Sequence, residues 1–423
     1  MERRAPDPLL PGRQAREGAA GRACHPPLEC RRVGDLPGEP HHRHDPRPAR
    51  RRAAHPDHAA GRGHVLDDPL RGSLGGTQLH ADLPVRWRNL AYLGALSLCL
   101  EIAAGEVAFW IQNALLTPLR GPDFYIYYAS SLQLLRSGPG SAYDLALQKQ
   151  FQDQVTAQWG GAYVLLPQIL PPWVTLAFYP LGLLPFRAAY LAWGATILVL
   201  VAAAILVLVR AAGLRGRSAV LASAAAAASL PLFVLLVQGQ SDAPMLLALA
   251  AAGLAWVRRR PAWAGAFAAL ALVKPQLMVL VPALFLVRRS WPALGAFAGV
   301  AAGLALVSLL VFGLRACLDW LSIVAPWAVS GGGGYSVNAQ STYSLRGLLQ
   351  LLPLPAGVQV VVVAAGLLAV AFVMLRTRAD PRLQFALAVA SSVALSLYQH
   401  AHDLSLMVWE PRFWPAAGWP SSY

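Results

Sequence analysis

The sequence predicts an all-α polytopic membrane protein with a helical first external loop, and three observations predict it. Charged residues make up 13% of the chain, about half the roughly 25% of a soluble domain. Hydrophobic residues reach 56% and gather in long runs separated by short basic clusters, the positive-inside pattern of a multi-pass protein. The net charge of +14 resides in those clusters and in an N-terminal arm, so it argues for a membrane and against nucleic acid as a partner.

Residues 1–84 are rich in Arg, His, Pro and Gly and lack apolar periodicity, so they are expected to form a disordered basic arm. The first apolar run begins too late for a signal peptide, and a translation start assigned too far upstream would produce such a stretch. His41, His42, His44 and Cys24 match no tetrahedral metal spacing, and the four cysteines imply no disulfide framework. A first span is expected from about Asn89 to Gln112, after Arg86 and Arg88 and interrupted by Glu101 and Glu106. Residues 113–162 then form the first external loop. Within it, Gly121-Pro-Asp-Phe-Tyr-Ile-Tyr-Tyr128 opens a helix expected to lie along the membrane surface, with its rings at headgroup depth and Asp123 at its start. A carboxylate there costs least when it faces water or a substrate. Asp144 opens a second loop helix as its cap, running to about Trp159.

Pro167, Pro171, Pro172 and Pro180 break the next segment, and irregular backbone at membrane depth is tolerated where it lines a cavity. Spans follow at Ala188 to Val209, 218–237 and 243–257, then a hairpin over 261–287 around Lys274-Pro-Gln276. A span at 293–314, a second external loop at 315–342 and two or three further spans lead to about residue 408. If 164–185 crossed the membrane, Arg210–Arg217 would lie outside, so either this stretch is re-entrant or the basic-loop rule fails once. Trp409 to Tyr423 does not read as a helix, which gives the expected divisions 1–84, 85–408 and an aberrant or truncated tail at 409–423.

Few polar groups remain for chemistry. The chain has two lysines; Lys274 lies inside an apolar hairpin, and a buried ammonium without a partner should face a cavity or an anion. His400 and His402 alternate and so cannot form a zinc pair on one helix face, but either could donate to a phosphate or a sugar hydroxyl. Arg346, at the mouth of a span, could hold a phosphate bidentately. Gln240, Gln276, Asn338 and Tyr127 complete the candidate substrate-binding set, and Asp123 is the candidate catalytic group. Walker, Rossmann and G-x-S-x-G patterns are absent from the membrane portion; neither a cofactor nor a metal is expected.

Taken together, Asp123-Phe-Tyr-Ile-Tyr-Tyr128, Tyr143-Asp144, Leu170-Pro-Pro-Trp173, Pro180 to Phe186, Gly239-Gln240, Lys274-Pro-Gln276, Asn338 to Gly347 and His400-Ala-His-Asp403 resemble glycosyltransferase family 87. The likeness covers about residues 85–408. It implies a GT-C-like helical bundle and a mannosyltransferase that draws on a polyprenyl-phosphate sugar. The sugar would pass to a lipid or glycan acceptor on the outer side of a bacterial-type inner membrane. An acidic residue in the first external loop is the base of such enzymes, and Asp123 occupies that position. The residues fit that chemistry: one base for the attacking hydroxyl, and Lys274, Arg346 and a histidine to neutralise the leaving phosphate. One base without a second catalytic carboxylate suggests single displacement with inversion. A transporter for a small polar or anionic substrate is the alternative reading, since broken helices and membrane-embedded Lys and Asp also suit translocation.

Overall fold

The computed structural model describes residues 85–116, 123–157, 164–330, 342–376, 380–397 and 399–409, all within one compact unit. The expected arm at 1–84 and most of the tail at 409–423 lie outside the described residues. Regular structure among the described residues is helical throughout. In chain order the helices are α1 (Val85–Leu116), α2 (Phe124–Ser137), α3 (Leu145–Thr156), α4 (Pro172–Ala177), α5 (Phe186–Ala212), α6 (Gly216–Ala227), α7 (Leu230–Gln238), α8 (Asp242–Val257), α9 (Pro261–Leu270), α10 (Leu280–Val287), α11 (Trp291–Ser330), α12 (Leu345–Leu349), α13 (Ala356–Arg376) and α14 (Pro381–Ala394).

Among the described residues α1, α5, α11 and α13 are long and apolar enough to cross a membrane, and α6 with α7, bent by 47°, makes a fifth candidate span. The chain is a multi-pass membrane protein of the all-α class. Proline and glycine set the breaks. Pro185 caps the start of α5, and Gly213 ends it in the left-handed region (φ 75°). There the Leu214 N–H returns to the Val209 carbonyl at 3.1 Å, satisfying a carbonyl that the helix end leaves free.

The stretch 164–185 does not cross. It runs without regular structure to Pro171, turns through the six residues of α4 and ends in a short 3-10 helix at Tyr179–Leu183. Its backbone groups are satisfied by the helices beneath it: Tyr143 Oη donates to Leu170 O at 2.6 Å, Ser131 Oγ to Phe178 O at 2.8 Å, and Gln152 accepts from Leu166 N at 3.1 Å. The stretch holds no helix long and apolar enough to cross, and the parity closes. The chain crosses once in α1 and returns once in α5, which brings Arg210–Arg217 back to the end where Arg86 and Arg88 lie. Arg217 Nη1 donates to Asn89 Oδ1 at 2.6 Å and the guanidinium covers the Tyr92 ring at 5.5 Å. The Arg382 guanidinium lies against Gly213, and Arg288 Nε donates to Gln384 Oε1 at 3.1 Å. The basic turns share one end of the bundle.

Two expectations are corrected. The helix after Asp123 does not expose its rings at a membrane surface: Phe124, Tyr125, Tyr127 and Tyr128 are all buried in protein. They pack against the stretch 164–185 and α5, with Phe124 within 5.7 Å of Phe186 and 5.6 Å of Tyr190, centroid to centroid. Residues 315–330 are not a loop. Helix α11 continues through them after a break at Gly313 (φ 78°, ψ 163°). This redirection packs Phe312 and Ala316 against Leu134, Ala142 and Tyr143 and lets Trp320 Nε1 donate to Ile169 O at 3.0 Å.

Candidate functional site

The site lies at the end of the bundle opposite the basic turns and begins at Asp123. This residue stands where a helix cap would stand, yet its side chain makes no capping hydrogen bond. Its backbone is right-handed helical (φ −56°, ψ −16°), whereas a cap needs extended dihedrals to bring its oxygen onto the first N–H groups. Asp144, extended at ψ 111°, caps α3 from two N–H groups in the expected way. The Asp123 carboxylate instead accepts a hydrogen bond from Gln240 Nε2. Burial pushes the Asp123 carboxyl above the ordinary carboxylate value, and the His400 charge, the Gln240 hydrogen bond and the Lys274 charge act in the opposite direction.

Gln240 reaches Asp123 because α7 ends abruptly. Gly239 adopts φ 65°, and the Gln240 N–H bonds the Leu235 carbonyl at 3.0 Å. A Cβ at Gly239 would stand 2.8 Å from Phe124 Cβ, so α2 closes directly onto this turn. Two side chains of α5 hold the turn from behind: Tyr190 Oη donates to Val237 O at 2.6 Å and Trp193 Nε1 to Gly239 O at 2.8 Å. The Gln240 Oε1 accepts from Tyr127 Oη at 2.8 Å, and the Tyr127 ring stacks on Phe178 at 4.6 Å.

Beside this chain lies a buried ionic cluster. Lys274 Nζ sits 2.9 and 3.0 Å from the two oxygens of Asp242, 2.7 Å from Asp403 Oδ1 and 3.2 Å from His402 Nε2. The anions that Lys274 faces are two carboxylates of the protein itself, which share its charge. Two carboxylates against one ammonium and one imidazole leave the cluster no better than neutral, so it offers a phosphate little attraction. Asp242, His402 and Asp403 also present oxygen and nitrogen atoms within 4.8 Å of one another, a donor set of the metal-binding kind. The Lys274 ammonium already occupies the centre of that set.

The remaining expected residues separate. His400, half-buried, is the histidine whose charge acts on Asp123, and its backbone N–H donates to Asp403 Oδ2 at 2.7 Å. His402 is buried against Lys274. Arg346 is 1% exposed, and its Nη1 donates to Leu397 O at 3.2 Å, so it braces the segment leading to His400. Gln276 is half-buried on the turn Pro275–Leu277. Asn338 lies outside the described residues. Tyr127 and Gln240 form the support of Asp123 through their hydrogen bonds, a different task from the substrate contacts expected of them. Sequence reasoning did not pair Asp242 and Asp403 with Lys274. The signal was the lone Lys274 in an apolar hairpin, which required a carboxylate of which the membrane portion holds few.

An apolar cavity of about 530 Å³ adjoins the site, lined by Trp173, Phe178, Trp193, Leu247, Phe267 and Val273 among others. Ser241, between Gln240 and Asp242, also lines it. The sequence model of glycosyltransferase family 87 matches residues 169–398, more than half of the chain. The chain belongs to glycosyltransferase family 87. No curated protein and no solved structure matches it at a significant level. A family 87 member is a membrane glycosyltransferase, which uses a sugar donor and an acceptor. The match begins after Asp123, so the role of that acid rests on geometry.

Proposed function

We propose that this glycosyltransferase moves a sugar, mannose in our reading, from a polyprenyl-phosphate donor to an acceptor hydroxyl by single displacement with inversion. Asp123 takes the hydroxyl proton as general base. The hydroxyl oxygen attacks the anomeric carbon, the bond from that carbon to the lipid-phosphate oxygen breaks, and the electron pair leaves with the phosphate. His400, on the segment after α14, meets the developing charge as a hydrogen-bond donor, and Arg346 braces the backbone that carries it. The apolar cavity lined by Trp173 and Phe178 receives the first isoprenoid units of the donor. The basic turns, read as cytoplasmic, put the site on the extracytoplasmic face of a bacterial-type inner membrane.

The observation that carries this reading is the diverted carboxylate: an aspartate at a helix start that caps nothing and is aimed, as an acceptor, at a polar centre beside an apolar cavity. Membranes containing the protein and radiolabelled polyprenyl-phosphate mannose provide the test. Asp123→Asn should lower transfer by about 100-fold or more at unchanged expression, the usual weight of a general base. Undiminished transfer in that variant sinks the base assignment, and vesicle uptake of sugar without transfer would favour the transporter.

A further inference from the structure

We infer that Tyr127 is a positioning residue: its hydroxyl fixes which way the Gln240 side-chain amide faces, and so keeps Asp123 a hydrogen-bond acceptor. An amide has one accepting and one donating end. Tyr127 Oη donates to Gln240 Oε1 at 2.8 Å, which leaves only Nε2 to face Asp123 Oδ2. An N–H facing the acid favours the carboxylate; a carbonyl facing it would favour the protonated acid, which cannot serve as a base. Both Tyr127 and Gln240 are buried, so water does not compete freely for the amide. Gly239 at φ 65° against Phe124 fixes where the glutamine starts, and the Phe178 stack at 4.6 Å fixes where the tyrosine ring ends.

The other charged groups near Asp123 are His400, on the segment after α14, and Lys274, on the turn after α9. Asp242, at the head of α8, acts on Tyr127. The Tyr127 hydroxyl is the donor that meets the carbonyl end of the Gln240 amide, and Ser241 also reaches that hydroxyl.

The inference deepens the proposed function and rests on Asp123 as the base, and its test reads the protonation of Asp123 without needing turnover. Infrared pH titration of the full-length protein in nanodiscs follows the carboxylic acid band, assigned to Asp123 as the band lost in Asp123→Asn. In Tyr127→Phe, which keeps the ring and its stack, the Asp123 titration should move to higher pH by about one unit, the effect of one charge-assisted hydrogen bond lost. Gln240→Leu should move it in the same direction. The double variant should move it no further than Gln240→Leu alone, because the tyrosine acts only through the amide. An unmoved titration in Tyr127→Phe overturns the inference, as does full additivity of the two changes. Where transfer is measured, the acid limb of kcat/KM should follow the infrared shift. A shifted band with transfer intact in Asp123→Asn would leave the amide lock standing and remove the base.

Discussion

At Lys274 the balance of charge decides what one side chain does. A lone lysine in apolar surroundings reads from sequence as a cation awaiting an anion from outside. The fold supplies two carboxylates from elements 32 and 129 residues away in sequence, so the charge is used internally. The ammonium joins α8, the turn after α9 and the 3-10 helix Ala401–Trp409 at one point. Replacing it with a neutral chain of similar length strands two buried carboxylates. Lys274→Met should therefore cost about 3–5 kcal/mol, seen as a lower unfolding temperature in detergent. Unchanged stability, with only donor KM raised, would restore the phosphate-binding role first expected of it.

Among the elements, the turn from α7 to α8 does most to build the site. Its five residues, Gln238-Gly-Gln-Ser-Asp242, bring one amide to Asp123 and one carboxylate to Lys274. The turn depends on Gly239, whose left-handed backbone costs a side-chain-bearing residue roughly 1–2 kcal/mol and whose missing Cβ admits Phe124. Gly239→Ala should destabilise the protein by about 2–4 kcal/mol through strain and overpacking together. It should also lower transfer, because α2 can no longer close on Gln240. Thermal unfolding and the transfer assay check the two effects separately; a variant as stable and active as the parent would show that the close approach is dispensable. The turn was visible in the sequence as a polar interruption between apolar runs. What it touches was not, since Asp123 lies 117 residues away.

For the whole molecule, the decisive point is that 164–185 does not cross. With that stretch not a span, the basic turns gather at one end and the polar centre at the other. An exposed cysteine introduced by Arg215→Cys should react with a membrane-impermeant thiol reagent only from the cytoplasmic side, and one introduced by Ser137→Cys only from the opposite side. Labelling of both from one side would break the arrangement. The protein's own Cys99 and Cys317 are partly buried, and a background with its cysteines replaced removes their signal.

The sequence alone determined the class, the spans at 85–116 and 186–212 to within a few residues and the cap at Asp144. These follow from composition, periodicity and local turn chemistry, which act over a few residues and are written in order along the chain. It could not say whether 164–185 crosses, that 315–330 is helical, or which partners Lys274, Gln240 and Tyr127 take. Those outcomes depend on side chains from 14 to 151 residues apart meeting in a space with little water. There each polar group must find a protein partner, and only the packed tertiary structure chooses which one.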